Sequence, residues 1–255
     1  MVRVSRVLLS LSGLALLGVA WHLAVAASPG TLIPSPRQVA LAIGELAVSG
    51  QLLRYAVASL FRVTWGYLAA VIIAVPLGMW LGLSSRADAA IGPLLQLVRP
   101  ISPLAWIPLA ILWFGVGDLS AIFLIFLASL LPLLVTVVHA VQEIDVVHLR
   151  AATNFGMSGG RLLRSLIIPA ILPQVVVGLR IALGIAWLVV VAAEMLAVNS
   201  GLGFLIVDAR NAGNRYDLVV AGMALIGMIG VGLDALMRRL ERLESVRWGI
   251  PEAAA

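Results

Sequence analysis

Apolar positions along this chain fall in runs too long for an ordinary soluble core, separated by short polar intervals rich in arginine, glycine and proline. The first run, Val7 to Ala27, has 21 residues, matching the roughly 20 that let a helix cross a bilayer. Leu52 to Leu83 is longer than a span needs, which predicts a tilted or protruding helix kinked at Pro76. Ser120 to Ala140, Gln174 to Val198 and Leu218 to Met237 are three further spans of ordinary length. Between the second and fourth lies Ile91 to Gly117, interrupted by Pro93, Pro100, Pro103 and Pro108. Irregular backbone at membrane depth is tolerated only where protein or a water-filled cavity surrounds it, so this broken span is expected to face such a cavity. The predicted fold is an all-α integral membrane protein with about six transmembrane helices.

The polar intervals carry their own patterns. Pro36 suits a helix start and Gly50 the position beyond a helix end. Val39, Leu41, Ala42 and Leu46 recur between them near helical spacing, predicting a short amphipathic helix at the membrane surface. The first run admits a second reading, because Ala24-Val25-Ala26 could close a signal peptide. Signal peptides have apolar regions of only about 7–15 residues, so length favours a retained span. The interval from Leu149 to Pro173 is the longest polar-punctuated one, and residues 149–155 predict a short helix. Small Ala151 and Ala152 would let another surface approach closely, and Phe155 would offer an apolar anchor. Gly156 and Ser158-Gly159-Gly160 should break that helix. A second short helix is expected to follow, with Leu162, Leu163, Leu166 and Ile167 on one side, Arg161 and Arg164 on the other, and its end at Pro169.

Composition agrees with a membrane protein and removes several classes of activity. The chain of 255 residues is 62% hydrophobic and 11% charged, against about 45–50% and 25% in soluble domains, and its mean hydropathy is +1.10. All 17 basic residues are arginine. Without lysine there is neither a Walker-type phosphate-binding loop nor Schiff-base chemistry. The net charge of +5 is spread along the chain instead of forming one basic face, which argues against nucleic acid. There is no cysteine, hence no thiol chemistry. His22, His139 and His148 sit on separate elements, so no metal site is expected. With the N-terminus inside, the inner segments hold ten arginines and the outer segments four. That excess places both termini and the 149–173 interval in the cytoplasm.

Arg62, Arg99, Arg180, Glu194 and Asp234 fall within or near spans, where an unpaired charge costs at least about 2.5–3.5 kcal/mol at the centre. Asp234 has Arg238 one turn on. Arg180 and Glu194 are 14 residues apart, about 21 Å along a straight helix at a rise of ~1.5 Å, so they cannot pair with each other. Two readings of the arginines stand: an electropositive route for an anion, or structural charges paired with neighbouring helices.

Ala151-Ala152, Gly156 and Leu166-x-Ile168-Pro169 reproduce the pattern Glu-Ala-Ala, three residues, Gly, nine residues, Ile-x-Leu-Pro. The interval therefore resembles the cytoplasmic coupling loop of the membrane subunits of bacterial binding-protein-dependent ABC importers, with Arg150 standing where the pattern has Glu. LVRPISPLAWIPLAILWFGVGD, from Leu97 to Asp118, and GLRIALGIAWLVVVAAEML, from Gly178 to Leu196, are similar to permeases for nitrate, bicarbonate, taurine and other sulfonates. The resemblance implies a type I ABC importer permease core over 52–242; the apolar pattern and arginine placement outside it give an N-terminal transmembrane helix and periplasmic elbow over 1–51 and a cytoplasmic tail over 243–255. Within it, the coupling loop would occupy 146–170 and engage an ATPase through Arg150, Ala151, Ala152, Asn154, Phe155, Gly156, Leu166, Ile168 and Pro169. Arg99, Pro103, Trp106, Arg180, Trp187 and Glu194 are the candidates for the substrate path. The implied partners are a second permease subunit, making a homodimer, two cytoplasmic ABC ATPase subunits, an extracytoplasmic substrate-binding protein and the lipid of the bacterial cytoplasmic membrane. The chain itself would bind no cofactor and perform no chemistry, ATP with magnesium being used by the ATPase. The same architecture could import a thiamine precursor or riboflavin. An ion-coupled secondary transporter would be expected to carry inverted repeats, and the two halves of this chain do not echo one another.

Overall fold

The computed structural model describes residues 2–27, 32–211 and 213–241, with side chains from residue 12 onward except Leu14. The tail 243–255, Arg242, Arg247, the Pro29-Gly30 turn and the side chains of Arg3 and Arg6 lie outside the described residues. Among the described residues every regular element is helical. They are α1 (Val2–Ala27), α2 (Pro36–Val48), α3 (Gln51–Leu83), α4 (Ser85–Val98), a 3₁₀ turn (Pro103–Trp106), α5 (Ile107–Phe114), α6 (Asp118–Gln142), α7 (Val146–Asn154), α8 (Gly159–Leu162), a π turn (Leu163–Ile167), α9 (Ile168–Leu196), α10 (Leu202–Asn211) and α11 (Tyr216–Glu241).

Four helical stretches are long and apolar enough to cross a bilayer: α3, α6, the continuous Gly159–Leu196 and α11. The proline-broken segment supplies a fifth, as α4 and the stretch Pro103–Phe114 bent by 84° at the break. The sixth expected span corresponds to α1, whose apolar described portion is Ala15–Ala27. Pro76 lies within α3 without interrupting it.

The core is organised by a stripe of small residues. Gly66, Ala70, Ala74, Gly78 and Gly82 recur every fourth position along one face of α3. In lipid the hydrophobic effect does not drive helices together, and close approach over small side chains does much of that work. A Cβ on Gly78 would stand 2.7 Å from Val137 Cβ, and one on Gly82 would stand 2.6 Å from Val141 Cβ. Gly66 meets Ile125 and Gly82 meets Val141, so α3 and α6 run parallel. Two consecutive long helices can be parallel only if the chain between them returns across the layer, and α4 and α5 make that return. The α9 helix runs antiparallel to α3, with Tyr67 Oη donating to Leu179 O at 2.9 Å near mid-helix and Ser59 Oγ donating to Glu194 Oε2 at 2.9 Å further along. Arg180 on Asp234 and Trp187 on Ile226 then set α11 antiparallel to α9.

Three findings differ from the sequence expectation. The amphipathic α2 does form, with Ser35 and Gln38 as a capping box. It packs inward, however: Val39, Ala42 and Leu46 join the core beside Ala221 and Leu225, while Leu41 points away and is exposed. Second, the polar interval after α9 contains a ten-residue helix, α10, whose Leu202, Leu205 and Ala209 are buried. Third, no helix ends at Pro169. Ile168 N donates to Leu163 O, five residues back, and the wider π turn accommodates a proline ring that would clash with the carbonyl four residues before it in a regular α-helix.

At the end of the molecule carrying α2 and α10, Arg215 joins two elements by donating to Glu45 at 2.7 Å and to Asp217 at 2.9 Å. Hydrogen bonds to Asp217 and then Glu45 push the Arg215 pKa up from its ordinary value. Arg215 and Glu45 are exposed and Asp217 is partly so, and exposed pairs contribute about 0–1 kcal/mol. Arg215→Ala is therefore expected to lower the melting temperature of the purified protein only slightly.

Candidate coupling loop and substrate path

The 146–170 segment is built by local chemistry. Asp145 starts α7 as its N-cap, its side chain accepting from Val147 N at 2.8 Å. The helix ends in a Schellman arrangement, with Met157 N donating to Ala152 O at 3.0 Å and Gly156 N to Thr153 O at 2.9 Å. That closure needs a left-handed residue, and Gly156 supplies φ +76°. Phe155 stands just before the turn and is 85% exposed.

The faces of α7 are distinct. Ala152 is buried and Leu149 half-buried against the chain's own body. Val147, Arg150, Ala151 and Asn154, at i, i+3, i+4 and i+7, form the opposite, exposed stripe. The expectation that both alanines offer a close approach is thus corrected: Ala151 faces out, whereas Ala152 seats the helix. Beyond the turn, Ile167 is buried, Leu166 half-buried, and Ile168 and Pro169 exposed. A cleft of about 270 Å³ opens between α7 and the ends of α6 and α9, with Glu143, His148, Leu166 and Gln174 among its walls.

The candidates for the substrate path divide into three places. Arg99 is exposed at the break between α4 and α5, with no ion pair among the described residues. Pro103 opens the 3₁₀ turn, capped by Ser102, and Trp106 at its end packs on a cluster with Ala121, Leu124 and Ala193. Arg180 and Trp187 border a small cleft of about 60 Å³ between α9 and α11. Trp187 Nε1 donates to Ile226 O at 3.1 Å. Arg180 is held by Asp234 at 2.7 Å and Glu241 at 3.2 Å, and Asp234 also accepts from Arg238 at 2.8 Å, the pairing that its spacing predicts. Glu194 is in the third place, fully buried in a network absent from the sequence expectation.

That network centres on Arg62, itself 2% exposed. Its guanidinium reaches Glu194 at 2.7 Å, Asp118 at 2.7 Å and Ser200 O at 2.7 Å. Glu194 accepts in addition from Ser59 Oγ and Gly203 N, each at 2.9 Å. Gly201 packs so tightly on the Glu194 carboxylate that a Cβ there would overlap it. One buried pair therefore fastens α3, the start of α6, the end of α9 and the turn into α10. A signal was present in the sequence, since two opposite charges inside spans each require a partner; their separation of 132 residues hid the match.

A broken span between two parallel helices, a capped helix and glycine turn at one end, and a buried ionic knot toward the other belong to a polytopic helical protein with several helices long and apolar enough to cross a bilayer. The particular family follows from comparison with known proteins. Residues 74–245 match the family described as the binding-protein-dependent transport system inner membrane component, and the chain belongs to it. It is 38% identical over 92% of its length, and 89% of the other chain, to the taurine transport system permease protein TauC of Escherichia coli. It is 36% identical over 73% of its length, and 67% of the other, to the bicarbonate transport system permease protein CmpB of Synechococcus elongatus. An inward-facing structure of the MetNI methionine ABC transporter has the same fold, with a TM-score of 0.67 at 17% identity over 77% of this chain and 97% of that one. The protein is a permease subunit of an ABC importer with the type I permease fold, a multi-pass protein of the inner membrane, and a transport component that is not an enzyme.

Proposed function

We propose that this permease admits a small anion, of the class that includes taurine and other sulfonates, nitrate and bicarbonate, into the cytoplasm. The observation that carries the reading is the similarity to relatives named for taurine and for bicarbonate, two cargoes that share a compact, negatively charged group. Arg99, exposed at the bend of the broken span with no ion pair among the described residues, is a cation on a route an anion could follow. Two copies of the chain would line that route. Two ATPase subunits would dock on the 146–170 loops and hydrolyse ATP with magnesium, and a binding protein would deliver substrate from the other side. The arginine excess on the segments joined to this loop favours cytoplasmic N- and C-termini.

The test is uptake of labelled taurine by cells expressing the complete importer, with unlabelled sulfonates, nitrate, bicarbonate and riboflavin as competitors. Competition by small anions and indifference to riboflavin is the expected result. Competition by riboflavin alone would replace the anion with the alternative cargo.

A further inference from the structure

Resting on the proposed docking of an ATPase at the 146–170 loop, we propose that the ATPase groove receiving this loop is acidic and carries a carboxylate that pairs with Arg150. Residues 146–170 contain three arginines, Arg150, Arg161 and Arg164, and no aspartate or glutamate. All three arginines are exposed, and none forms an ion pair among the described residues. The carboxylates closest in sequence are already engaged: Asp145 caps α7, and Glu143 accepts from Gln174 at 2.7 Å. Arg150 belongs to the outward stripe of α7, one helical turn from both Val147 and Asn154, opposite the seated Ala152. Exposed Phe155 follows at the helix end. A receiving surface must therefore offer an apolar pocket for Phe155 and negative charge for Arg150, because like charges juxtaposed at an interface cost several kcal/mol and set which partners are rejected.

The planar guanidinium favours a carboxylate that it can grip with two hydrogen bonds. An importer whose loop carries glutamate at this place would need the opposite charge in its ATPase. Arg150 thus acts as a specificity-determining residue that matches this permease to its own ATPase and excludes those built for an acidic loop.

The experiment uses the permease assembled with its own ATPase in detergent and, separately, in vesicles containing anionic phospholipid. Arg150→Ala is expected to weaken ATPase association about tenfold, the equivalent of ~1.4 kcal/mol, and Arg150→Glu to weaken it further, with both effects shrinking as salt rises. Arg150→Lys should retain most of the affinity. Gly156→Leu serves as a control for docking itself. If Arg150→Glu binds as well as the parent while Gly156→Leu uncouples, the acidic groove is refuted and the coupling loop stands. If neither matters, the docking itself is wrong and the inference goes with it. If the Arg150 effect is present only with anionic lipid, the arginine meets headgroups and the inference also fails.

Discussion

Arg62→Ala is expected to cost the protein about 3–5 kcal/mol, because it leaves a buried carboxylate without its counter-charge. Glu194 has no exposure to water through which to recover the loss. Its remaining partners, Ser59 Oγ and Gly203 N, are neutral donors. The effect should be read as a large fall in melting temperature of purified protein and in the yield of assembled importer. Arg62→Lys should be intermediate, since an ammonium is a compact point charge without the fork that lets one guanidinium reach Asp118, Glu194 and Ser200 together. Removing both charges, as Arg62→Met with Glu194→Met, should recover part of the loss. An unchanged melting temperature for Arg62→Ala would show that the network contributes nothing.

Gly156→Leu is expected to abolish uptake and binding-protein-stimulated ATP hydrolysis while leaving membrane insertion intact. A side chain at φ +76° costs roughly 1–2 kcal/mol in the left-handed region, too little to unfold the protein. The local consequence is larger than that figure suggests, because the Schellman closure at Gly156 sets the direction in which Phe155 and the outward stripe of α7 project. Uptake and ATP hydrolysis should therefore fall together while a permease-specific antibody finds normal amounts in the membrane. Normal uptake by this variant would remove the loop from the transport cycle.

Periodicity and proline placement made much of this architecture legible. The runs of apolar residues correspond to the long helices, and the prolines of Ile91–Gly117 mark a segment that bends by 84°. The Gly156 break was legible for the same reason, since it depends only on neighbours in sequence. Long-range matches were not. Arg62 and Glu194 each stand out as charges inside spans, but nothing local says that parallel α3 and antiparallel α9 bring them together. The stripe at 66, 70, 74, 78 and 82 was readable by spacing, although its partner, α6, was not. Pro169 misled because a proline usually stops a helix, and whether a π turn relieves the clash depends on how the Leu163–Ile167 turn packs, with Ile167 buried. The α10 helix was hidden by Gly201 and Gly203 at its start: Gly201 forms the turn into it, and Gly203 packs closely on Val191 and Glu194.

The π turn has a mechanical consequence. Because the chain passes from Gly159 to Leu196 as one continuous helical stretch of 38 residues, about 57 Å at ~1.5 Å per residue, its two ends belong to a single element. The tip near Gly159 adjoins the glycine turn, and the opposite tip holds Glu194. A displacement of the former is thus carried toward the ionic knot along one helical element that includes the π turn and Pro173.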